Sequence, residues 1–319
     1  MEAFFIMLRN VVLFAALAVP GYLLVKFKIL KQEHSVGLSK MLMYVGMPFL
    51  IISGTVNNLA VNSELLVQIL VVAAIGIAYT FAMFFASKPL SAFEREEKAR
   101  GMMRFCSVFT NNGFLGIPLA IAVFGKDSRI FTVLIVLNII TNVMMYTLGA
   151  YLVSGDKRTI SMRKAFLNPI LIAFVVGIAL NLLNIKSYIP EVVTYSDHFS
   201  GIVTPISMTI LGIKLATVKF TSLFTSPKSY YVSSFKLVIF PAIIVSLLFA
   251  FKLFAGNVIT NDVIVGFFVA FSMPTAGLAS TFADMYNGDA KNAVVYTLGT
   301  TLHSILTIPL LFGLLSIFV

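Results

Sequence analysis

Charged residues are scarce in this sequence, since Asp, Glu, Lys and Arg make up only 11% of its 319 residues. Apolar residues make up 59%, and the mean hydropathy is +0.98. A soluble domain of this size could not hide so much apolar surface from water. The scarcity of charge therefore excludes a soluble protein and predicts an all-α integral membrane protein.

Cysteine and histidine are also rare, with the single Cys106 and three histidines. One cysteine excludes a disulfide within the chain, and these four residues are too widely spaced for a metal-site pattern. No Ser-His-Asp order or carboxylate pair fits an intramembrane enzyme. We therefore predict no metal, no cofactor and no enzymatic activity.

Uncharged runs recur along the whole chain, and a helix of about twenty residues is long enough to span a bilayer. We predict ten spans, at residues 5–25, 38–56, 64–87, 102–124, 129–153, 168–185, 198–218, 230–254, 262–284 and 290–318. The formal net charge of +10 comes mainly from basic residues in the short loops between them. That placement is typical of a protein that sits in a lipid bilayer, so we predict no nucleic-acid partner.

The basic residues predict the orientation of the chain. Fifteen Lys and Arg residues lie on the side that follows odd-numbered spans, and five lie on the opposite side. Cytoplasmic loops carry the excess of basic residues. We therefore predict a multi-pass plasma-membrane protein with both termini extracellular.

Two predicted spans carry helix-breaking residues at their centres. Residues 109–118 of the fourth span read Phe-Thr-Asn-Asn-Gly-Phe-Leu-Gly-Ile-Pro, and residues 270–277 of the ninth read Ala-Phe-Ser-Met-Pro-Thr-Ala-Gly. A break at mid-bilayer survives only where it is packed in protein or lines a polar cavity. Two such breaks at corresponding positions of two half-chains indicate the binding site of a transporter.

Weak matches relate the two halves of the chain. The breaks lie 162 residues apart, Pro48 pairs with Pro205, and Asn10 pairs with Asn168. Each half contains five predicted spans, an odd number, so the second half enters the membrane from the opposite face. We predict a 5+5 inverted repeat with units 1–155 and 156–319, the usual build of a secondary transporter.

The Asn-Asn-Gly-Phe-Leu-Gly-Ile-Pro segment at 111–118 resembles the fourth span of the auxin efflux carrier family, and Ser-Met-Pro-Thr-Ala at 272–276 resembles its ninth span. That family includes plant PIN proteins and bacterial malonate and malate permeases, and the short loop after the fifth span is similar to that of the compact bacterial members. The resemblance implies a scaffold domain, a transport domain in which broken spans 4 and 9 cross, and a homodimer formed through the scaffold.

The breaks supply a candidate anion site. Proline favours the first turn of a helix, so we predict that Pro118 and Pro274 open the second half-helices of their spans. Helix N-termini carry partial positive charge and unpaired N–H groups, which together attract anions. The predicted substrate-binding residues are Asn111, Asn112, Gly113, Pro118, Ser272, Met273, Pro274 and Thr275. The alternative interpretation is a structural kink whose asparagines cap freed backbone groups.

Few ionisable residues lie deep in the predicted spans. His303, in the middle of the tenth span, is a candidate proton relay together with Asn142 of the fifth span, or else a packing histidine. Lys214 and Lys236 lie near cytoplasmic ends, where they either extend to the interface or face the inner vestibule and attract anions. The predicted midplane has no Asp or Glu, which favours H⁺ over Na⁺ as a coupling ion.

These features predict a secondary transporter of small organic anions, mono- or dicarboxylates such as malate or malonate, that works by alternating access. Proton coupling and potential-driven uniport are both compatible with the sequence. Two other functions stay open: export of a larger amphipathic or aromatic acid of the auxin type, and a non-transporting membrane sensor on the same fold.

Overall fold

The computed structural model describes residues 2–58, 63–126, 128–218, 220–255 and 258–319. Every regular element within them is a helix, and one isolated antiparallel bridge joins Thr110 to Thr275. Lys219, counted above among the basic residues of the inner side, lies outside the described residues.

Twenty α-helices follow one another in the part of the chain that the structure describes, several of them joined end to end. In the first part these are α1 (Glu2–Ala16), α2 (Val19–Lys26), α3 (His34–Met41), α4 (Met47–Asn58), α5 (Ser63–Leu90), α6 (Glu97–Val108), α7 (Ile117–Phe124), α8 (Arg129–Met144), α9 (Ala150–Ser154) and α10 (Met162–Phe166). In the second part these are α11 (Pro169–Leu182), α12 (Ile185–Tyr188), α13 (Glu191–Ser200), α14 (Val203–Leu215), α15 (Phe220–Thr225), α16 (Pro227–Ser233), α17 (Phe240–Ala255), α18 (Asn261–Ser272), α19 (Ala279–Met285) and α20 (Ala290–Leu315).

Eight helical runs of the described residues are long and apolar enough to cross a membrane. They are Phe4–Lys26, His34–Asn57, Glu64–Leu90, Arg129–Ser154, Lys157–Leu182, Glu191–Leu215, Pro227–Ala255 and Ala290–Leu315. They overlap eight of the ten predicted spans, and the remaining two are the fourth and the ninth, which the breaks divide into shorter helices. The helical membrane class is thus confirmed, whereas a count of ten crossings stays a prediction.

Three prolines inside the helical runs of the described residues are preceded by π turns. The turns Leu42–Gly46, Asn112–Gly116 and Ser234–Ile239 end two residues before Pro48, Pro118 and Pro241. A proline has no N–H for the carbonyl four residues earlier, and its ring clashes with that carbonyl. In all three cases that carbonyl belongs to the π turn, whose wider winding moves it away from the ring.

One such carbonyl has a partner on another helix. The Ser207 hydroxyl on α14 donates a hydrogen bond of 3.0 Å to the Phe114 carbonyl, which lies four residues before Pro118. Within a membrane, a freed backbone carbonyl requires a partner of this kind.

The two interrupted spans and the fifth span form the interior of the protein. In Arg129–Ser154, 83% of the most apolar stretch is buried, against 28% for Glu64–Leu90. All residues of α18 from Val263 to Ser272 are buried as well. The breaks therefore lie inside protein rather than against lipid, as their unpaired backbone groups require.

Candidate functional site

The fourth span is interrupted between Val108, the last residue of α6, and Asn112, where helical structure resumes as a π turn. Phe109 is extended, with φ −87° and ψ 132°. Pro118 is the second residue of α7, so it lies within the resumed helix. The prediction that Pro118 opens this half-helix is wrong, because the π turn starts the helix earlier, at Asn112.

The ninth span is interrupted between Ser272, the last residue of α18, and Ala279, the first of α19. Met273 is extended, with φ −65° and ψ 150°. Pro274 therefore does not open the second half-helix, and that prediction is also wrong. The reason is that its carbonyl accepts a hydrogen bond of 2.8 Å from the Asn111 N–H, which holds the segment in an extended conformation.

The two breaks are bonded to each other. We call residues 109–112 and 273–276 the crossover. Besides the bond from Asn111 to Pro274, the Ala276 N–H donates to the Phe109 carbonyl at 3.0 Å. The contact between spans 4 and 9 that the implied crossing requires is therefore present, and backbone groups left unpaired by one break find partners in the other.

Two threonines of the crossover make reciprocal side-chain bonds. Thr110 Oγ1 donates to the Ala270 carbonyl at 2.7 Å, and Thr275 Oγ1 donates to the Cys106 carbonyl at 2.9 Å. Both carbonyls lie in the last turn of the half-helix before a break, where the helix itself offers no N–H. Each interrupted span thus caps the end of the other.

Asn112 is fixed by the neighbouring helix α8. Its amide donates to Thr141 Oγ1 at 3.0 Å, and its side-chain oxygen accepts from the Asn138 amide at 2.9 Å. The predicted residue Asn142 supports this arrangement, because its amide donates to the Asn138 carbonyl at 2.8 Å. Sequence reasoning missed Asn138 and Thr141, although polar residues three and four positions apart on an apolar span were the available signal.

A small cavity of about 30 Å³ lies beside the crossover. Its polar side chains are Thr110, Asn111 and Asn112 on one break and Asn138, Thr141 and Asn142 on α8. The rest of its wall comes from Gly113, Phe114 and residues 276–278 at the breaks and from the apolar side chains of Met43, Met47, Met145 and Ile170. A buried water needs roughly 10–15 Å³ of such volume, so the cavity has room for about two. A substrate of several atoms therefore requires it to widen.

The asparagine Asn111 differs from its neighbour. Its side chain lines the cavity next to Gly277 and makes no hydrogen bond to any described residue. Its polar atoms are thus available to a ligand, whereas those of Asn112 are already bonded.

The other predicted binding residues lie away from the cavity lining. Pro118, Ser272, Met273, Pro274 and Thr275 do not line the cavity. Met273 packs against Gly116, where an added Cβ would lie 3.1 Å from Met273 Cγ. The Ser272 hydroxyl is buried with no hydrogen-bond partner among the described residues.

Two buried lysines point into the protein at the breaks. Lys236 Nζ donates to the carbonyl of Val108 at 3.2 Å, and Lys214 Nζ donates to Gly277 O at 2.8 Å and to Ser280 Oγ at 2.9 Å. The alternative in which these two side chains extend to the membrane interface is therefore wrong. The C-terminal end of a half-helix carries partial negative charge, and its free carbonyl gives Lys236 an inward partner.

His303 lies in the middle of α20, as predicted, but away from the cavity lining. Its Nδ1 is 2.7 Å from Ser233 Oγ, and its ring centroid is 4.5 Å from that of Tyr230. No described contact joins it to Asn142. Thr300, one turn earlier, instead reaches the crossover, since its Oγ1 accepts the Thr275 N–H at 3.1 Å.

Apolar spans packed around two interrupted, crossing helices define a membrane transport protein. A family profile described as "Membrane transport protein" matches the chain twice, over residues 5–161 and 157–312. The chain belongs to this family, the auxin efflux carriers. Membership indicates a multi-pass membrane transporter rather than an enzyme.

The chain is similar to two proteins that are each described as an uncharacterized transporter. The protein of Methanocaldococcus jannaschii is 27% identical over 306 residues, which cover 92% of this chain and 94% of the relative. The protein of Methanothermobacter thermautotrophicus is 25% identical over 308 residues, which cover 92% and 93%. Both similarities extend over nearly the whole chain, so they include both breaks.

Proposed function

We propose that the protein is a secondary transporter of small organic anions, in particular mono- or dicarboxylates such as malate or malonate. One observation carries the proposal. The cavity beside the crossover has amide donors, two buried ammonium groups bond to carbonyls at the adjoining breaks, and no carboxylate of the described residues lines it.

The electrostatics of the cavity favour an anion. The first residues of the helical run that begins at Asn112 line the cavity, and the N-terminus of a helix carries partial positive charge. Lys214 and Lys236 form no ion pair among the described residues, and Asp284, one turn beyond Ser280, is exposed. A cation would meet like charge in a region of low dielectric, whereas a carboxylate would meet donors.

The size of the cavity supports a small substrate. An aromatic acid of the auxin type would require a much larger opening than a malonate-sized ligand. We therefore favour small acids over large amphipathic ones.

We assign transport to alternating access between a scaffold and a transport domain, with residues 1–155 and 156–319 as inverted five-span repeats. Tyr79 and Lys236 support the repeat. They lie 157 positions apart, which is also the separation of Pro48 and Pro205. Tyr79 packs its ring 4.8 Å from that of Phe271 near the end of α18, and Lys236 bonds Val108 at the end of α6. Inverted repeats with discontinuous helices are the usual build of such transporters.

The further parts of the proposal follow the sequence expectations. The protein works in the plasma membrane as a homodimer, with both termini extracellular. H⁺ is the coupling ion in preference to Na⁺, because the described residues place no carboxylate at the crossover, and His303 is the relay candidate.

Counterflow in proteoliposomes tests the proposal. Vesicles loaded with unlabelled malonate or malate should accumulate the labelled acid, and choline at the same concentration should not accumulate. Exchange without a potential separates a transporter from a sensor, because a sensor binds the acid but does not move it. Accumulation of organic cations in place of acids would overturn the proposal.

A further inference from the structure

A second cavity, distinct from the cavity beside the crossover, lies between the C-terminal end of α5, the first two turns of α6 and the short helix α9. Its volume is about 460 Å³, and Tyr286 and Asn287 after α19 complete its wall. Four of its lining residues are basic, namely Lys88, Lys98, Arg100 and Arg104, whereas Glu97 is the acidic one. We refer to it as the basic pocket.

Arg104 is positioned in this pocket by neutral groups. Its Nε donates to Ser87 Oγ at 3.1 Å, its Nη2 donates to the Phe84 carbonyl at 3.2 Å, and its guanidinium lies 5.2 Å from the Phe84 ring centroid. A guanidinium has five N–H donors, so three remain for a ligand. Among the described residues, no carboxylate pairs with Arg104.

The other basic side chains of the pocket also have no carboxylate partner among the described residues. Lys98 bonds a neutral group, Asn287 Oδ1, at 3.0 Å. The side chains of Lys88 and Arg100 form no hydrogen bond or ion pair with any described residue. Glu94, which is close in sequence, is paired with Lys228 instead.

Orientation of the chain in the membrane does not account for this arrangement. Topogenic lysines and arginines need only lie in a loop, where water and salt screen them. Arg104 instead lies two turns into α6, half-buried and held by two hydrogen bonds. Four cations around one cavity repel one another, and a bound anion would relieve that repulsion.

We propose that the basic pocket binds a phosphate-bearing anion, either the head group of an anionic lipid or a soluble phosphate compound. A phosphate offers oxygens that match the fork of a guanidinium, and lysine adds compact charge beside it. The bond from Lys98 to Asn287 already links α6 to the turn after α19. A ligand bridging the same walls would hold α6, which leads to the crossover at Val108, against that turn.

Thermal unfolding of the purified protein tests the proposal. The single cysteine, Cys106, is buried, so a thiol-reactive dye reports unfolding without an added label. Pyrophosphate serves as the soluble probe, against sodium chloride of equal ionic strength. Nanodiscs of phosphatidylcholine with and without phosphatidylglycerol provide the lipid probe. A ligand that binds only the folded protein raises its unfolding temperature.

The test variant is the double change Lys88→Gln and Arg100→Gln, because neither side chain has a structural partner to lose. The matched control is Lys157→Gln with Arg163→Gln, which removes the same charge from exposed positions on the same predicted side. We expect at least one probe to stabilise the wild type and the control equally. The test variant should bind it roughly tenfold or more weakly, since charged hydrogen bonds are lost.

Each outcome decides the proposal. Stabilisation by pyrophosphate alone assigns a soluble ligand, stabilisation by phosphatidylglycerol alone assigns a lipid, and an effect of both supports the shared phosphate chemistry. If neither probe stabilises the wild type, or if the test and control variants respond alike, the basic pocket is not a phosphate site.

Discussion

At the scale of single residues, the two neighbouring asparagines of the crossover have different environments. Asn112 is bonded on both sides of its amide, to Thr141 and Asn138, whereas Asn111 has no side-chain partner among the described residues and lines the cavity. The sequence predicts both equally as ligands, because neighbouring positions in a break carry no orientation signal. The fold, which places α8 against Asn112, makes the distinction.

Replacement of these asparagines should therefore separate binding from stability. We expect Asn111→Ala to weaken binding of a carboxylate substrate roughly tenfold with little change in stability. Asn112→Ala should instead destabilise the protein by about 1–3 kcal/mol, because it leaves the buried Asn138 amide without its acceptor and removes a donor to Thr141. Ligand titration and thermal unfolding of each variant measure the two effects. Equal losses of affinity without any loss of stability would contradict these separate roles.

A carboxylate in place of the Asn112 amide tests whether the site binds anions rather than cations. Asn112→Asp keeps the size of the side chain but adds a negative charge in a region of low dielectric. We expect uptake of malonate or malate to fall below that of Asn112→Ala. Uptake that is unchanged, or transport of amines that improves, would show that the site is not built for anions.

Substitution of Lys236 should reduce transport without reducing the stability of the protein. Burial of an ammonium group that has one carbonyl partner is costly, so Lys236→Met should leave the unfolding temperature unchanged or raise it. Loss of the positive charge should reduce anion uptake by roughly tenfold. Lys40→Met, at an exposed position near the inner end of the second predicted span, is the control. Full uptake by Lys236→Met would limit this lysine to a structural role.

At the scale of helices, the breaks were predictable from the sequence but the points of resumption were not. Gly and Pro clustered with Asn or Thr at the centres of the fourth and ninth spans indicate the interruptions, whereas a single proline such as Pro309 lies inside a continuous helix. Where the helix resumes depends on contacts with other elements, such as the bond from Asn111 to Pro274, that composition does not contain. The π turn before Pro118 likewise has a contact from a distant element, because the hydroxyl of Ser207 on α14 donates to the Phe114 carbonyl.

The Ser207 contact predicts how the loss of one hydroxyl changes the stability of the protein. Ser207→Ala removes the side-chain donor to the Phe114 carbonyl and should destabilise the protein by about 1 kcal/mol. Thr209→Val on the same helix removes a bond that stays within α14, so it serves as the control and should cost less. Thermal unfolding of both variants measures the difference. An equal cost would mean that the Phe114 carbonyl does not depend on Ser207.

At the scale of the whole molecule, the helical membrane class, the family and the contact between spans 4 and 9 followed from the sequence and its resemblance. Hydropathy predicts these because a bilayer demands long apolar helices with internal backbone bonds. The inward direction of Lys214 and Lys236 did not follow, since it depends on carbonyls freed by breaks in distant segments. Binding residues were thus predictable by region, and their orientation was not.

The orientation of the molecule is the remaining whole-chain prediction. The fifteen-to-five bias of Lys and Arg predicts that the loop 88–101 lies in the cytoplasm and both termini outside. A fluorescent protein that matures only in the cytoplasm should therefore be dark when fused after Val319. The same protein fused after Arg95 should fluoresce, because three predicted spans precede that point. The two fusions differ in the number of predicted spans that precede the fluorescent protein. Both carry the same tag, whose signal is used to correct the fluorescence for expression level. Bright fluorescence of the C-terminal fusion would reverse the orientation and would place the basic pocket on the outer side.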